Sequence, residues 1–216
     1  MEPKINAYEE VRDQIKDGDI IMFEGIGFLS AILNWRSRPR EFPVWKYLVH
    51  ALVSTIVKAA TGSKYSHAGL AARWYKRLMV LEAIGDGVIV NPLRRSEERF
   101  KAKIYWFSCE EIGPKDRELM MIKALEELGK PYGFWKTILF LICLIFKIDV
   151  DKRDSLKEAK SIYCSEYVAR IYNFVHKDLK QGRADRFMSP KDIADSDLLT
   201  NNGRLKMPLT DRHLSS

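Results

Sequence analysis

Four short segments with the pattern of β-strands follow one another between residues 65 and 107, and they constrain the fold more than any other feature of the sequence. They are largely apolar and are separated by turn signals, such as Gly85-Asp86-Gly87, or stopped by Pro92. The predicted strands are residues 65–73, 78–84, 88–90 and 103–107. The sequence therefore predicts an antiparallel meander at the centre of the fold.

Helices and one further strand surround this meander. A turn signal at residues 16–19 precedes the apolar residues 20–23, which predict an initial strand. Helices are predicted at residues 6–16, 114–128 and 161–177, and a further helix begins after Ser189, which has the residue type of an N-cap and is followed by Pro190. We therefore expect an α+β fold with helices packed on an antiparallel sheet.

The length of 216 residues suits one domain, and 46% hydrophobic residues are enough for a core. Residues 25–60 fit the strand pattern poorly and predict an insertion, in which the apolar residues 44–60 form a helix. After about residue 200 the chain is polar, and we expect a loose tail. The prediction is a single domain over residues 1–216.

The charge and the cysteine count limit the classes of partner and ligand. A formal net charge of +7 favours anionic partners without choosing among them, and ordinary solubility explains it as well. Three cysteines argue against a disulfide framework, and the four histidines lie far apart in the sequence. We expect no metal, no cofactor and no nucleic-acid partner.

The N-terminal residues lack the basic and apolar regions of a secretory signal, and the apolar run at residues 137–146 is too short to cross a bilayer. These features predict a cytoplasmic protein. Peripheral contact with a membrane is a further expectation, because residues 44–60 and 137–146 are apolar and Arg36, Arg38 and Arg40 can meet anionic head groups.

Cys164 begins the predicted helix of residues 161–177. A thiol at this position faces unpaired backbone N–H groups and the positive end of the helix dipole, and both favour the reactive thiolate. The same N–H groups can stabilise an oxyanion, with Tyr163 and Ser165 as neighbouring candidates. Taken alone, a single cysteine in a helix is more often a small buried packing residue than a nucleophile.

His67 and Glu82 lie on consecutive predicted strands. A symmetric hairpin centred between Trp74 and Tyr75 places them directly opposite each other on one face. Glu82 can then orient the imidazole and leave its second nitrogen for a thiol, as a nucleophile–base–orienter triad requires. Each also has a structural explanation, since Glu82 can face water at the rim of the sheet.

The order of these segments resembles a known family. The motifs are Gly18-Asp19-Ile20-Ile21, Tyr65-Ser66-His67-Ala68-Gly69-Leu70, Leu81-Glu82-Ala83, Gly129-Lys130-Pro131-Tyr132, Tyr163-Cys164-Ser165-Glu166 and Ser189-Pro190-Lys191-Asp192. Together they are similar to the circularly permuted branch of NlpC-type papain-like cysteine amidases and peptidases, in which the histidine precedes the cysteine. The resemblance implies a papain-like fold with an antiparallel sheet or partial barrel and the cysteine at a helix N-terminus.

The resemblance also implies roles. Cys164 would be the nucleophile, His67 the general base and acid, and Glu82 the orienting residue. Tyr132 would border the site and assist the oxyanion, although a packing role explains it as well. The implied reaction is hydrolysis of an amide in a cell-wall-type peptide or a small N-acyl amino acid, through an acyl-enzyme.

The sequence is compatible with two alternatives. The permuted relatives include lecithin–retinol-acyltransferase-like enzymes, so a lipid acyltransferase or phospholipase on the same triad is one alternative. The other is a non-catalytic binding module, in which the three residues have no chemical role.

Overall fold

The computed structural model describes residues 4–33, 36, 43–133, 137 and 161–208, with only the backbone at residues 45, 46 and 100. Arg38, Arg40 and the apolar run after Thr137, for which membrane contact is expected, lie outside the described residues. Among the described residues, no helix is both long enough and apolar enough to cross a membrane.

A seven-stranded open sheet forms the centre of the fold, with the strand order β1-β7-β6-β2-β3-β4-β5. Only the β1–β7 pair is parallel, and the other pairs are antiparallel. The strands are β1 (Ile5–Ala7), β2 (Ile20–Glu24), β3 (His67–Trp74), β4 (Arg77–Ile84), β5 (Gly87–Pro92), β6 (Lys103–Ser108) and β7 (Thr200–Lys206). The predicted meander and initial strand are thereby confirmed.

Seven α-helices are described around this sheet, together with a short 3-10 helix at Asp185–Phe187. They are α1 (Tyr8–Val11), α2 (Phe28–Leu33), α3 (Val44–Thr61), α4 (Leu93–Phe100), α5 (Pro114–Glu126), α6 (Cys164–Phe174) and α7 (Pro190–Ala194). Ser189 caps α7 as predicted, since its hydroxyl accepts a hydrogen bond from the Asp192 N–H. The helix predicted for residues 44–60 is confirmed as α3.

The sheet is buried on both of its faces. Side chains alternate along the central strand β2, so Ile20 and Met22 pack in one apolar cluster while Ile21 and Phe23 pack in another. The first cluster also contains Tyr167 and other apolar residues of α6. Helix α6 is therefore fixed to the sheet along its length, which defines the position of Cys164 at its first turn.

Two predictions at the ends of the chain are wrong. Residues 6–16 contain the end of β1 and the single turn of α1 instead of one amphipathic helix. Residues 200–206 form β7 instead of a loose tail. Strand β7 is polar apart from Leu205, and it is held between β1 and β6 partly by side-chain amides, including Asn202 Nδ2, which donates to Ser108 Oγ at 2.8 Å.

The β3–β4 hairpin has a different register from the predicted one. Leu70 pairs with Leu81, whereas the symmetric hairpin placed Leu70 opposite Met79. The shift is two residues, and an even shift keeps every side chain on its predicted face. His67 and Glu82 therefore still share a face, but as a diagonal pair and not as directly opposed residues.

Candidate active site

Cys164 is the first residue of α6 and is 7% exposed. The segment before it is pinned to the loop at residues 131–133, because the Ile162 N–H donates to the Pro131 carbonyl and the Gly133 N–H donates to the Ile162 carbonyl. The helix start is therefore held in place on both sides. Backbone N–H groups of Ala68 and Ser165 point at the Cys164 sulfur.

His67 begins β3, next to this helix start, and its ring packs at 5.2 Å from that of Phe23. Its Nε2 lies 2.7 Å from Oε2 of Glu82. A carboxylate can only accept, so Nε2 carries a proton and donates it to Glu82. The imidazole is also hydrogen-bonded to Cys164, and with Nε2 occupied the nitrogen on that side is Nδ1.

Glu82 is completely buried and both of its oxygens are occupied. Oε1 accepts hydrogen bonds from Asn91 Nδ2 at 2.8 Å and from Ser96 Oγ at 2.5 Å, while Oε2 accepts from His67. Gly69 lies opposite this part of β4, where a Cβ would come within 2.5 Å of Val80 Cγ1, 3.0 Å of the Leu81 carbonyl oxygen and 3.3 Å of the Glu82 Cβ. The absence of a side chain at residue 69 therefore allows β3 and β4 to approach each other beside Glu82.

Cys164, His67 and Glu82 form a buried hydrogen-bonded triad, and their contacts determine the pKa values of the three side chains. Burial acts to raise the pKa of Cys164, but the positive charge of His67 and the hydrogen bonds to the sulfur outweigh burial and lower it. Burial acts to lower the pKa of His67, but Cys164 and Glu82 raise it to about 9. The arrangement favours a thiolate–imidazolium pair at neutral pH.

Glu82 is held in its ionised form. Burial acts to raise its pKa, but hydrogen bonds from His67, Ser96 and Asn91, together with the charge of His67, lower it below the ordinary value. A buried carboxylate with three donors is a fixed negative charge beside the imidazole.

The sequence of this chain matches the family described as permuted papain-like amidase enzymes, the YaeF/YiiX or C92 family, over residues 47–192. The chain belongs to the C92 family. The match includes His67, Glu82 and Cys164, and in this permuted order the histidine precedes the cysteine. As a C92 member the chain is a cysteine peptidase or amidase, a hydrolase.

One solved structure supports the fold of this C92 chain. The crystal structure of the metalloprotein yiiX from Escherichia coli O157:H7 is 22% identical, with a TM-score of 0.54 over 90% of this chain and 99% of that one. No curated protein matches the chain. The mixed α+β, permuted papain-like fold expected from the sequence is thereby confirmed.

Unlike the yiiX protein, which is described as a metalloprotein, this C92 chain has no residues that fit a metal centre within the part that the structure describes. No group of three or more His, Cys, Asp and Glu side chains is placed there to hold an ion. The side-chain atoms of the site that could coordinate a metal already have hydrogen-bond partners at both oxygens of Glu82 and at Nε2 of His67.

Three further residues predicted at the site of this C92 enzyme lie beside Cys164. Tyr132 pairs with Ile162 through its backbone, and burial, followed by the negative charge of Cys164, raises the pKa of its hydroxyl. The hydroxyls of Tyr163 and Ser165 instead donate to the carbonyls of Arg186, at 2.6 Å, and Met188, at 2.8 Å. Those two side chains anchor the helix start, and it is the backbone N–H of Ser165 that faces the sulfur.

Sequence reasoning missed Asn91 and Ser96. Asn91 ends the apolar run of β5, and a polar residue there, 5% exposed, is a signal that a buried partner exists. Ser96 lies on α4 among charged residues and carries no comparable signal.

The other described cysteine and the other described histidines lie apart from the site. Cys109 is fully buried, and burial raises the pKa of its thiol, which disfavours the thiolate. His176 follows α6 with a positive φ of 58° at the opposite end of the helix from Cys164, and His50 lies on α3.

Proposed function

We propose that this C92 enzyme hydrolyses an amide bond through a thioester on Cys164, with His67 as general acid and base and Glu82 as the residue that orients it. The single observation that carries the proposal is the buried chain of hydrogen bonds from Cys164 through His67 to Glu82 at a helix N-terminus. This is the arrangement that an activated thiol requires.

The first half of the reaction forms the acyl-enzyme. The thiolate of Cys164 attacks the amide carbonyl carbon, and the tetrahedral oxyanion is held by the N–H of Ser165 and the hydroxyl of Tyr132. Because its pKa is raised, Tyr132 keeps its proton and stays a donor. The C–N bond then breaks as His67 gives its Nδ1 proton to the leaving amine.

The second half returns the enzyme to its starting state. A water molecule attacks the thioester carbonyl while His67 removes one of its protons, and the C–S bond breaks to release the carboxylic acid. Glu82 keeps the imidazole in one orientation throughout and stabilises its charged form, since its carboxylate is fixed by Asn91 and Ser96.

The substrate class proposed first is a small peptide amide of the cell-wall type or an N-acyl amino acid, as the NlpC-type motif order suggests. A second candidate is lipid acyl transfer or phospholipid hydrolysis on the same triad. The apolar surface of α2 and α3 favours it, because Lys58 of α3 hydrogen-bonds to Gly25, and Gly25 hydrogen-bonds to Ser66, the residue before His67. The cytoplasmic location stays a prediction.

The test is a library of muropeptides, N-acyl amino acids and phospholipids, incubated with the wild type and with two cysteine variants. We expect turnover of an amide that Cys164→Ala abolishes and that Cys109→Ala retains, because the Cys109 thiol is buried away from the site. Turnover of phospholipid alone would replace the amidase proposal by the lipid alternative. Undiminished turnover by folded Cys164→Ala would refute the assigned nucleophile.

A further inference from the structure

Helix α3 presents apolar side chains outward as well as toward the core. Tyr47 and Ala51 face inward and are 1% exposed, whereas Val49, Leu52 and Ile56 form a stripe on the opposite side, with 41%, 41% and 36% of their surface exposed. A surface helix of a globular domain normally presents charged and polar side chains outward. The outer face of α3 instead presents branched apolar side chains.

Helix α2 adds to the same surface. Leu29 and Leu33 are 77% and 83% exposed, although α2 is packed on α3 through Ala31 and its first N–H donates to Thr55 Oγ1 at 2.8 Å. Single exposed leucines are common on protein surfaces, but several on one pair of packed helices mark an interaction surface. We name Leu29, Ile32, Leu33, Val49, Leu52 and Ile56 the α2–α3 face.

The chain around this face is strongly basic. Residues 28–66 contain six Lys and Arg residues against one acidic residue, Glu41, which gives this segment a formal net charge of +5 in a chain whose total is +7. Arg36, in the connection between the helices, is exposed. Helix α5 offers a comparison, because it exposes Ile122 and Leu125 but carries three basic and three acidic residues.

We propose that the α2–α3 face binds the surface of a membrane that contains anionic phospholipid. The apolar side chains enter the interface, and Arg36 meets the phosphate and carboxylate head groups. This combination of exposed apolar and basic residues fits an anionic lipid surface better than a protein partner with a balanced surface, for which the positive charge has no counterpart.

The position of α3 gives such binding a consequence for the site. Lys58 Nζ donates to the Gly25 carbonyl at 2.8 Å, and the Gly25 N–H donates to Ser66 Oγ at 3.1 Å, directly before His67 in the chain. Docking through the α2–α3 face therefore holds the end of β3 that bears His67 close to the bilayer. The proposal does not depend on catalysis, and it stands or falls separately from the assigned reaction.

The experiment is co-sedimentation of the full chain with vesicles of phosphatidylcholine, alone or mixed with phosphatidylserine. We expect binding to the mixed vesicles, with weaker binding at high salt and to phosphatidylcholine alone. The double variant Leu29→Glu, Leu33→Glu should weaken binding by about ten-fold or more, since two leucines no longer enter the interface. Ile122→Glu, which places the same charge on α5, should bind like the wild type, and so should Cys164→Ala.

Three results would overturn the proposal. They are no binding to the anionic vesicles, equal binding by wild type and the double variant, and an equal loss in Ile122→Glu. If light scattering shows a dimer that the double variant converts to a monomer, without vesicle binding by either, the α2–α3 face is a contact between copies of this chain instead.

Discussion

Replacing Glu82 with Gln removes the charge beside His67 with little change in shape. Oε1 of Glu82 accepts from both Asn91 and Ser96, and Oε2 accepts from His67. A glutamine has only one acceptor oxygen, so its NH2 group must face either the Asn91 amide, which also donates, or the Nε2 of His67. In the second case Nε2 has to lose its proton, and the imidazolium can no longer form without breaking the contact.

The size of the effect follows from the bond that is lost. A hydrogen bond to a charged group contributes about 1.5–3 kcal/mol, and about 1.4 kcal/mol corresponds to a factor of ten. We therefore expect the thiolate–imidazolium pair to become about 10- to 100-fold less favourable. Because the alkylating agent reacts with the thiolate, the alkylation rate of Cys164 at neutral pH should fall by a similar factor.

The assay is the rate of iodoacetamide labelling of Cys164 from pH 5 to pH 10, followed by peptide mass spectrometry. Asp19→Asn is the matched control, because it removes another buried carboxylate, one that pairs with Arg117 at 2.8 Å. It should lower the melting temperature and leave the labelling profile of Cys164 in place. A labelling profile of Glu82→Gln that coincides with that of the wild type would refute the assigned role of Glu82.

Three other predictions concern the same site. The pKa of His67 is raised to about 9, so His67 keeps the proton that the leaving amine needs up to about pH 9. When amide turnover is measured against pH, kcat/KM should therefore decline above about pH 9. Ser96→Ala removes one donor to Glu82 and should slow thiol labelling of Cys164 about five-fold at neutral pH. A lower melting temperature with an unchanged labelling profile would show that Ser96 has a structural role only. Gly69→Ala places a methyl group against Val80 and the Leu81 carbonyl, next to Glu82, and should cost about 1–3 kcal/mol in urea denaturation while slowing labelling. Gly85→Ala, which meets no neighbouring atom, should change neither.

The contact among Cys164, His67 and Glu82 was largely predictable because these residues lie on the most regular elements. Side chains alternate between the two faces along β3 and β4, so a two-residue error in register does not change which side chains share a face. His67 and Glu82 were therefore placed on the same face. Cys164 follows from the start of a helix whose apolar positions are clear in the sequence. None of this depended on the length or conformation of the hairpin turn, which is where the prediction was inaccurate.

The parts that sequence reasoning missed depend on contacts between distant segments. Strand β7 has almost no apolar pattern, and it forms because β1 and β6 supply partners on both sides and because Gly203, with a φ of 104°, lets the Lys4 carbonyl approach. Ser96 reaches Glu82 only because α4 packs on β4 and β5. Neither contact leaves a local signal in the sequence.

The central claim is that Cys164 carries the acyl group during turnover, and acid quenching followed by peptide mass spectrometry tests it most directly. With an amide substrate in excess, we predict that the mass of the acyl group appears on the peptide that contains Cys164 and disappears after treatment with hydroxylamine, as a thioester does. Turnover with no adduct on that peptide, or with the adduct on Cys109 instead, would contradict the account.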